Sequence, residues 1–271
     1  MNVAPLEDLL HSVAELTGDL RALGVDEGET LLVQAATRSI GPVDGRSAGV
    51  VAALREVLGP AGTLVAYTAT PENSETSQLY RDAIAPLDPA GVRAHRATMP
   101  PFDRDATPAS PTMGRLSEEI RTTEGALRSA HPQTSFAALG PLAGWLTERH
   151  DLNSHLGEGS PVQRLLEADG RVLLVNVPWT CCTVFHLAEY RQDAPPLQQY
   201  GCVMAGAGGA RQWVRFTAPA VTTAHFLDVA ETVLRDSGKV ARGRLGHAPC
   251  FLLPIREAVD FADKWLRNKQ D

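Results

Sequence analysis

Three short, almost wholly apolar runs constrain the fold of this chain more than anything else in it. They are TLLVQ (30–34), TLVAY (63–67) and RVLLVNV (171–177). Runs without polar alternation are strands buried on both faces, and helices are what cover both faces of a sheet. The pattern therefore calls for an α/β fold with a mostly parallel central sheet flanked by helices. Leu6 to Leu23 places Leu6, Leu9, Leu10, Val13, Leu16 and Leu20 on one helical face, and Gly24 stops it. Ala48 to Leu58 reads as a helix closed by Gly59-Pro60. A further strand is expected at FAAL (136–139), helices over 114–123, 183–191, 224–237 and 256–268, and a hairpin from Leu197 to Thr217 around Ala205–Gly209.

From Thr70 to Thr112 the periodicity dissolves into polar chain containing Pro100-Pro101 and Pro108. A stretch that long inside a compact protein reads as a functional lid that holds at most short helices. Residues 1–271 are taken as one domain, with a lid-like insert at 70–112 and a small hairpin and helical cap at 190–242.

The net charge is −7, from 25 Lys and Arg against 32 Asp and Glu. This balance disfavours broad binding to nucleic acid or anionic membranes and suits cationic ligands. Cys181, Cys182, Cys202 and Cys250 form no paired CxxC, and His150 and His155 fit no zinc spacing, so no metal is expected. No run approaches the roughly 18–20 apolar residues that span a bilayer. A reduced, cytoplasmic protein is the expectation.

One strand-to-helix junction concentrates reactive side chains: NVPWTCCTVFHLAE (176–189). It begins where a buried strand leaves the carboxyl edge of the sheet, which is where α/β proteins place ligands. His186 lies in the first turns of the next helix, with Thr183 three residues before it and Glu189 three after, on one face. A His supported by a carboxylate can act as a general base near neutral pH. The same spacing also describes a half-buried helix with a satisfied His and a surface Glu. Cys182 beside His186 permits a second reading, a Cys–His acyltransferase working through an acyl-enzyme. Two loops add candidates. Arg128-Ser129-Ala-His131-Pro could bind a phosphate or orient a carbonyl, and the turn holding Thr37, Arg38 and Ser39 suits a phosphate or pantetheine chain. Neither a P-loop nor GxGxxG is present.

Taken in order, LLVQAATRSIGPVDG (31–45), PPFD (100–103), GALRSAHPQTSFAALGPLA (125–143), HDLNSHLGEGSPVQRL (150–165), GRVLLVNVP (170–178), TVFHLAE (183–189) and GRLGHAPCFLL (243–253) resemble the aminoglycoside 3-N-acetyltransferase family, which is distinct from the GNAT fold. The resemblance spans most of the chain. It implies direct transfer of acetyl from acetyl-CoA to an amine of an aminoglycoside in a ternary complex. On that resemblance His186 is the general base, Glu189 supports it, and Thr183 hydrogen-bonds near the thioester carbonyl. Thr37, Arg38, Ser39, Arg128 and Ser129 hold the cofactor, while Tyr67, Asp103, Glu158 and Glu189 meet the substrate. A homodimer is compatible with it.

The departures are specific. Gln34 stands where the family usually has His, and Thr180 where many relatives have Asp or Asn. The stretch after His186 is short, and Arg215-Phe-Thr-Ala-Pro lacks the acids that usually follow the hairpin. Fewer acids and a smaller cap imply a smaller or less cationic amino sugar, such as kasugamycin acetylated at its 2′-amine. A non-catalytic protein that binds the antibiotic or CoA is the remaining alternative.

Overall fold

The computed structural model describes residues 10–269. The three apolar runs become β1 (Thr30–Ala35), β2 (Thr63–Tyr67) and β5 (Arg171–Val175). They sit together at the centre of a seven-stranded sheet with β3 (Leu127–Arg128), β4 (Phe136–Leu139), β8 (Ala241–Leu245) and β9 (Ala248–Pro254), in the order β3-β4-β2-β1-β5-β9-β8. β1 pairs in parallel with both β2 and β5. β4 and β9 run against their neighbours on either side. Five of the seven strands thus point one way, although only the central pairings are parallel.

Alternate residues of the central strands feed two cores. Leu31, Val33, Leu64 and Leu173 face α1 (Val13–Leu23), α2 (Arg46–Leu58) and α5 (Arg115–Thr122). Leu32, Val65, Val172 and Leu174 face α6 (Ala143–Thr147), α7 (Pro161–Glu167), α8 (His186–Tyr190), α9 (Phe226–Asp236) and α10 (Ile255–Asn268). The first helix starts later than its apolar spacing suggests. Ser12 caps it, accepting from the Glu15 amide while the Glu15 carboxylate accepts from the Ser12 amide. That reciprocal pair fixes the start, because it satisfies two amides that lack helical partners. Leu10 precedes the helix, and Leu6 and Leu9 lie outside the described residues.

The region 70–112 is more ordered than its composition implies. It holds α3 (Gln78–Ile84), capped by Ser77, and α4 (Pro89–Thr98), capped by Asp88 with Pro89 in the first turn. The hairpin forms as expected from β6 (Leu197–Ala205) and β7 (Arg211–Pro219), separate from the main sheet. Insert and hairpin are stitched together. The Asn73 side chain donates to the Val203 carbonyl at 2.9 Å and accepts from its amide at 2.7 Å. The Arg211 guanidinium donates to the carbonyls of Arg96, Ala97 and Met99, and Arg96 lies over the Trp213 ring at 4.2 Å. No helix among the described residues is long and apolar enough to cross a membrane.

α8 is only five residues long, so its position depends on what it packs against. Its last residue, Tyr190, lies against Gly157, and the Tyr190 hydroxyl accepts from the His155 amide at 3.0 Å. A β-carbon at position 157 would sit 2.0 Å from Tyr190 Cδ1. Gly157→Ala is therefore expected to cost about 1–3 kcal/mol by overpacking, read as a lowered midpoint in urea or thermal unfolding. A wild-type midpoint would contradict this packing.

Candidate active site

β1 and β5 end side by side, and the Ala36 amide donates to the Val175 carbonyl at 2.9 Å, so both segments leave the sheet at one edge. From there the chain runs to β2 on one side of β1, whereas β5 lies on the other, which opens a crevice between them. The crevice holds a cavity of about 440 Å³, whose walls include Gln34, Tyr67, Met113, Thr180, Thr183 and His186. Beyond β5 the chain turns at Asn176, whose φ of +47° lies in the left-handed region that Asn tolerates. Two short 3-10 turns, Trp179–Cys181 and Thr183–Phe185, then deliver His186 as the first residue of α8.

His186 Nδ1 lies 2.8 Å from Glu189 Oε2, and both side chains are buried. A carboxylate at that distance holds the proton on Nδ1 and leaves Nε2 as the basic nitrogen. Glu189 is held in turn. Its Oε1 accepts from the Thr222 amide at 3.1 Å and lies 3.5 Å from His225 Nε2. Burial pushes the His225 imidazole below its ordinary range, against the pull of the Glu189 charge. Thr183 is clamped from the other strand: Gln34 Nε2 donates to its hydroxyl at 2.6 Å, and its amide donates to Gln34 Oε1 at 3.2 Å. Its own hydroxyl reaches the Cys181 carbonyl at 3.1 Å. Tyr67, on the cavity wall, has its phenol pushed upward by burial and stays neutral.

Cys182 is fully buried in the core, and burial pushes its thiol far above the ordinary range. Both facts oppose a thiolate nucleophile, which needs exposure and a lowered pKa. The Cys–His alternative loses its support here.

A second cavity, about 710 Å³, adjoins the first, since Ala36 and Gly114 line one while Thr37 and Arg115 line the other. Arg38, Arg46 and Arg115 stand around it, with the N-terminus of α2 at Gly45–Ser47. Unbonded amides at a helix start and several guanidinium groups make an anion site. The Thr37 hydroxyl is buried without a hydrogen-bond partner among the described residues. Arg46 and Arg115 carry no sequence signal that separates them from surface arginines.

Other candidates do not converge on either cavity. Ser39 spends its hydroxyl on the Ala36 carbonyl at 2.7 Å, closing its own turn. Arg128 is buried and donates to Thr68, Ser135, Arg104 and Thr107, which anchors the insert to the sheet. Ser129 is fully buried and bonded to His150 Nδ1 at 2.9 Å. Neither has a free group to offer a phosphate. Asp103 is exposed and caps a local turn through the amides of Asp105 and Ala106, and Glu158 is exposed away from the cavity. His225 and Thr222 are functional neighbours that sequence spacing missed, because they join Glu189 from more than thirty residues away.

An α/β protein with a His–Glu pair at the carboxyl edge of its sheet, beside a basic anion-binding cavity, has the apparatus for group transfer from an anionic donor. The sequence profile described as aminoglycoside 3-N-acetyltransferase matches residues 32–267. The chain is 35% identical to aminoglycoside N(3)-acetyltransferase III of Salmonella sp, over 96% of this chain and 92% of that protein. It superposes on the crystal structure of YokD protein from Bacillus subtilis with a TM-score of 0.89 at 31% identity, covering 96% of this chain and 95% of that one. It also superposes on AAC-IIIb in binary complex with CoASH with a TM-score of 0.84 at 32% identity, covering 96% and 97%. The chain belongs to the aminoglycoside 3-N-acetyltransferase family.

Behind the site, His131, His150 and His155 pack ring against ring, with centroids 4.6 and 4.7 Å apart about His131. Burial holds all three well below the ordinary 6.5, His150 at about 3 and His155 at about 2. The unfolded chain therefore takes up protons near pH 6.5 that the folded chain refuses until far lower pH. Stability is full above about pH 6.5 and declines as pH falls toward 3. Urea midpoints should hold above about pH 7 and drop steadily from about pH 6.5 to pH 5, and a constant midpoint across that range would contradict buried, neutral imidazoles.

Proposed function

We propose that this protein transfers the acetyl group of acetyl-CoA directly to an amine of an aminoglycoside or related amino-sugar antibiotic, and thereby confers resistance. The observation that carries the reading is the buried His186–Glu189 pair on the wall of a cavity that adjoins a basic one. Acetyl-CoA would lie across the two cavities. Its phosphates suit the start of α2 and the guanidinium groups of Arg38, Arg46 and Arg115, and the unpartnered Thr37 hydroxyl suits its pantetheine arm. When bound it supplies a thioester carbonyl carbon, which is electrophilic enough for an amine to attack.

The chain's own work is proton removal and orientation. An ammonium group is not a nucleophile, so the acceptor reacts as its neutral amine; His186 Nε2 takes one proton from that nitrogen as it attacks, and Glu189 stabilises the imidazolium that results. The amine nitrogen gains the bond to the acetyl carbon, the bond from that carbon to sulfur breaks, and the departing thiolate takes the proton held on His186 Nε2, which leaves CoA thiol and a neutral imidazole. The Thr183 hydroxyl donates to the carbonyl oxygen as charge gathers there. A cytoplasmic location, where acetyl-CoA is abundant, goes with this chemistry.

The acceptor's charge follows from the walls. Among the described residues the cavity beside His186 is lined by no Asp, Glu, Lys or Arg. A polycation gains little from such walls, so the favoured acceptor carries few ammonium groups, as kasugamycin does at its 2′-amine. Release of CoA thiol is measured with kasugamycin, gentamicin and paromomycin. Faster turnover of the last two would overturn this order of acceptors and favour the 3-amine. Absence of release with all three, despite tight binding, would favour a non-catalytic binder.

His186→Ala should lower kcat by about 10²–10⁴, the usual worth of a general base, and leave acetyl-CoA binding unchanged in calorimetry. Cys182→Ser should keep wild-type turnover, and initial-rate plots should intersect as a ternary complex requires. Parallel plots together with an inactive Cys182→Ser would restore the acyl-enzyme.

A further inference from the structure

The Gln34 side chain makes two hydrogen bonds to one residue, and their polarity is fixed. A backbone amide can only donate, so the Gln34 atom facing the Thr183 amide at 3.2 Å must be its carbonyl, Oε1. The other atom, Nε2, lies 2.6 Å from the Thr183 hydroxyl and can only donate. That hydroxyl is therefore an acceptor toward Gln34, and its single hydrogen must point elsewhere. The Cys181 carbonyl at 3.1 Å is its partner, and the hydroxyl lines the cavity beside His186. A carboxylate in place of the amide would reverse this, drawing the hydroxyl hydrogen toward itself.

We infer that Gln34 is a positioning residue that sets the direction of the Thr183 hydroxyl, so that its hydrogen is free for an acceptor oxygen in the cavity. This rests on the acetyl-transfer reading, in which that oxygen belongs to the thioester. Donation from Nε2 also polarises the hydroxyl and makes it the better donor, because chained hydrogen bonds reinforce one another. Nothing else from β1 can do this. Gln34 is the strand residue beside Leu174 in the β1–β5 register, and the residues that follow it, Ala35 and Ala36, lack polar side chains.

The test uses the full-length protein and the variants Gln34→Glu, Thr183→Val and the double change. Gln34→Glu keeps an acceptor for the Thr183 amide but turns the hydroxyl round. At pH 8 it should lower kcat by about 10²-fold, the scale of one lost donor to a developing oxyanion, with KM for acetyl-CoA within about threefold by the same argument. Lowering the pH should raise the ratio of variant to wild-type kcat, since a protonated carboxyl can donate as the amide did. In the Thr183→Val background, Gln34→Glu should add no further loss.

Unaltered kcat in Gln34→Glu would overturn the inference, and so would an equal loss whether or not the Thr183 hydroxyl is present. Acetyl-CoA affinity and the unfolding midpoint of each variant separate this from misfolding. A neutron structure of the wild-type protein reads the same point without any substrate. The Thr183 hydroxyl hydrogen directed away from Gln34 supports the inference, and the hydrogen placed between the two side chains sinks it. If the wild type releases no CoA with any amine, the acetyl-transfer reading fails while the neutron result still decides the role of Gln34.

Discussion

The parallel pairing of β1 with β5 is the contact on which the rest of the molecule depends. Leu31 to Ala35 lie beside Arg171 to Val175 in one register, and nearly every apolar residue in that pairing is fully buried. Because successive side chains enter opposite cores, a slip of one residue would turn each apolar set toward the wrong face. The register is therefore fixed by burial on two sides at once. Both strands end at the same level, and everything reactive hangs from the two exits. Gln34 comes from one, while Thr183, His186 and Glu189 come from the other.

Charge acts locally here. A chain with a net charge of −7 should repel a polyanionic cofactor, yet three arginines and a helix start surround the cavity next to the His–Glu pair. Of the acids counted in that total, Asp44 alone lines that cavity among the described residues, and others are tied up in half-buried pairs elsewhere. Glu29, for example, is bound to Arg171 at the opposite end of β5, and Glu118 is bound to Arg121 on α5. The overall sign thus says little about the two walls that a donor and an acceptor would touch, one basic and one uncharged.

The central strands were legible in the sequence because a strand buried on both faces must be continuously apolar. The direction of β4 was not, since FAAL reads the same in either sense. β8 escaped notice for a different reason. ARGRL alternates exposed and covered residues at the sheet edge, and such a run has no apolar density to mark it. Short helices were expected in the insert, but α4 could not be placed because it buries no side chain, so no periodicity reports it. At the site, the i, i+3 spacing of His186 and Glu189 could be read from local geometry. Arg128 could not, because an arginine before SAHP looks alike whether it meets solvent or five internal acceptors. His225 and Gln34 reach the site only through tertiary structure.

Glu189 has one oxygen on the imidazole and the other on the Thr222 amide, in the segment that leads from the hairpin into α9. The hairpin is in turn tied to the insert through Asn73 and Arg211. The carboxylate is thus a mechanical link in series between the His186 imidazole and the two chain excursions, hairpin and insert. A substitution that moves the hairpin therefore also moves the carboxylate that orients the ring beneath it.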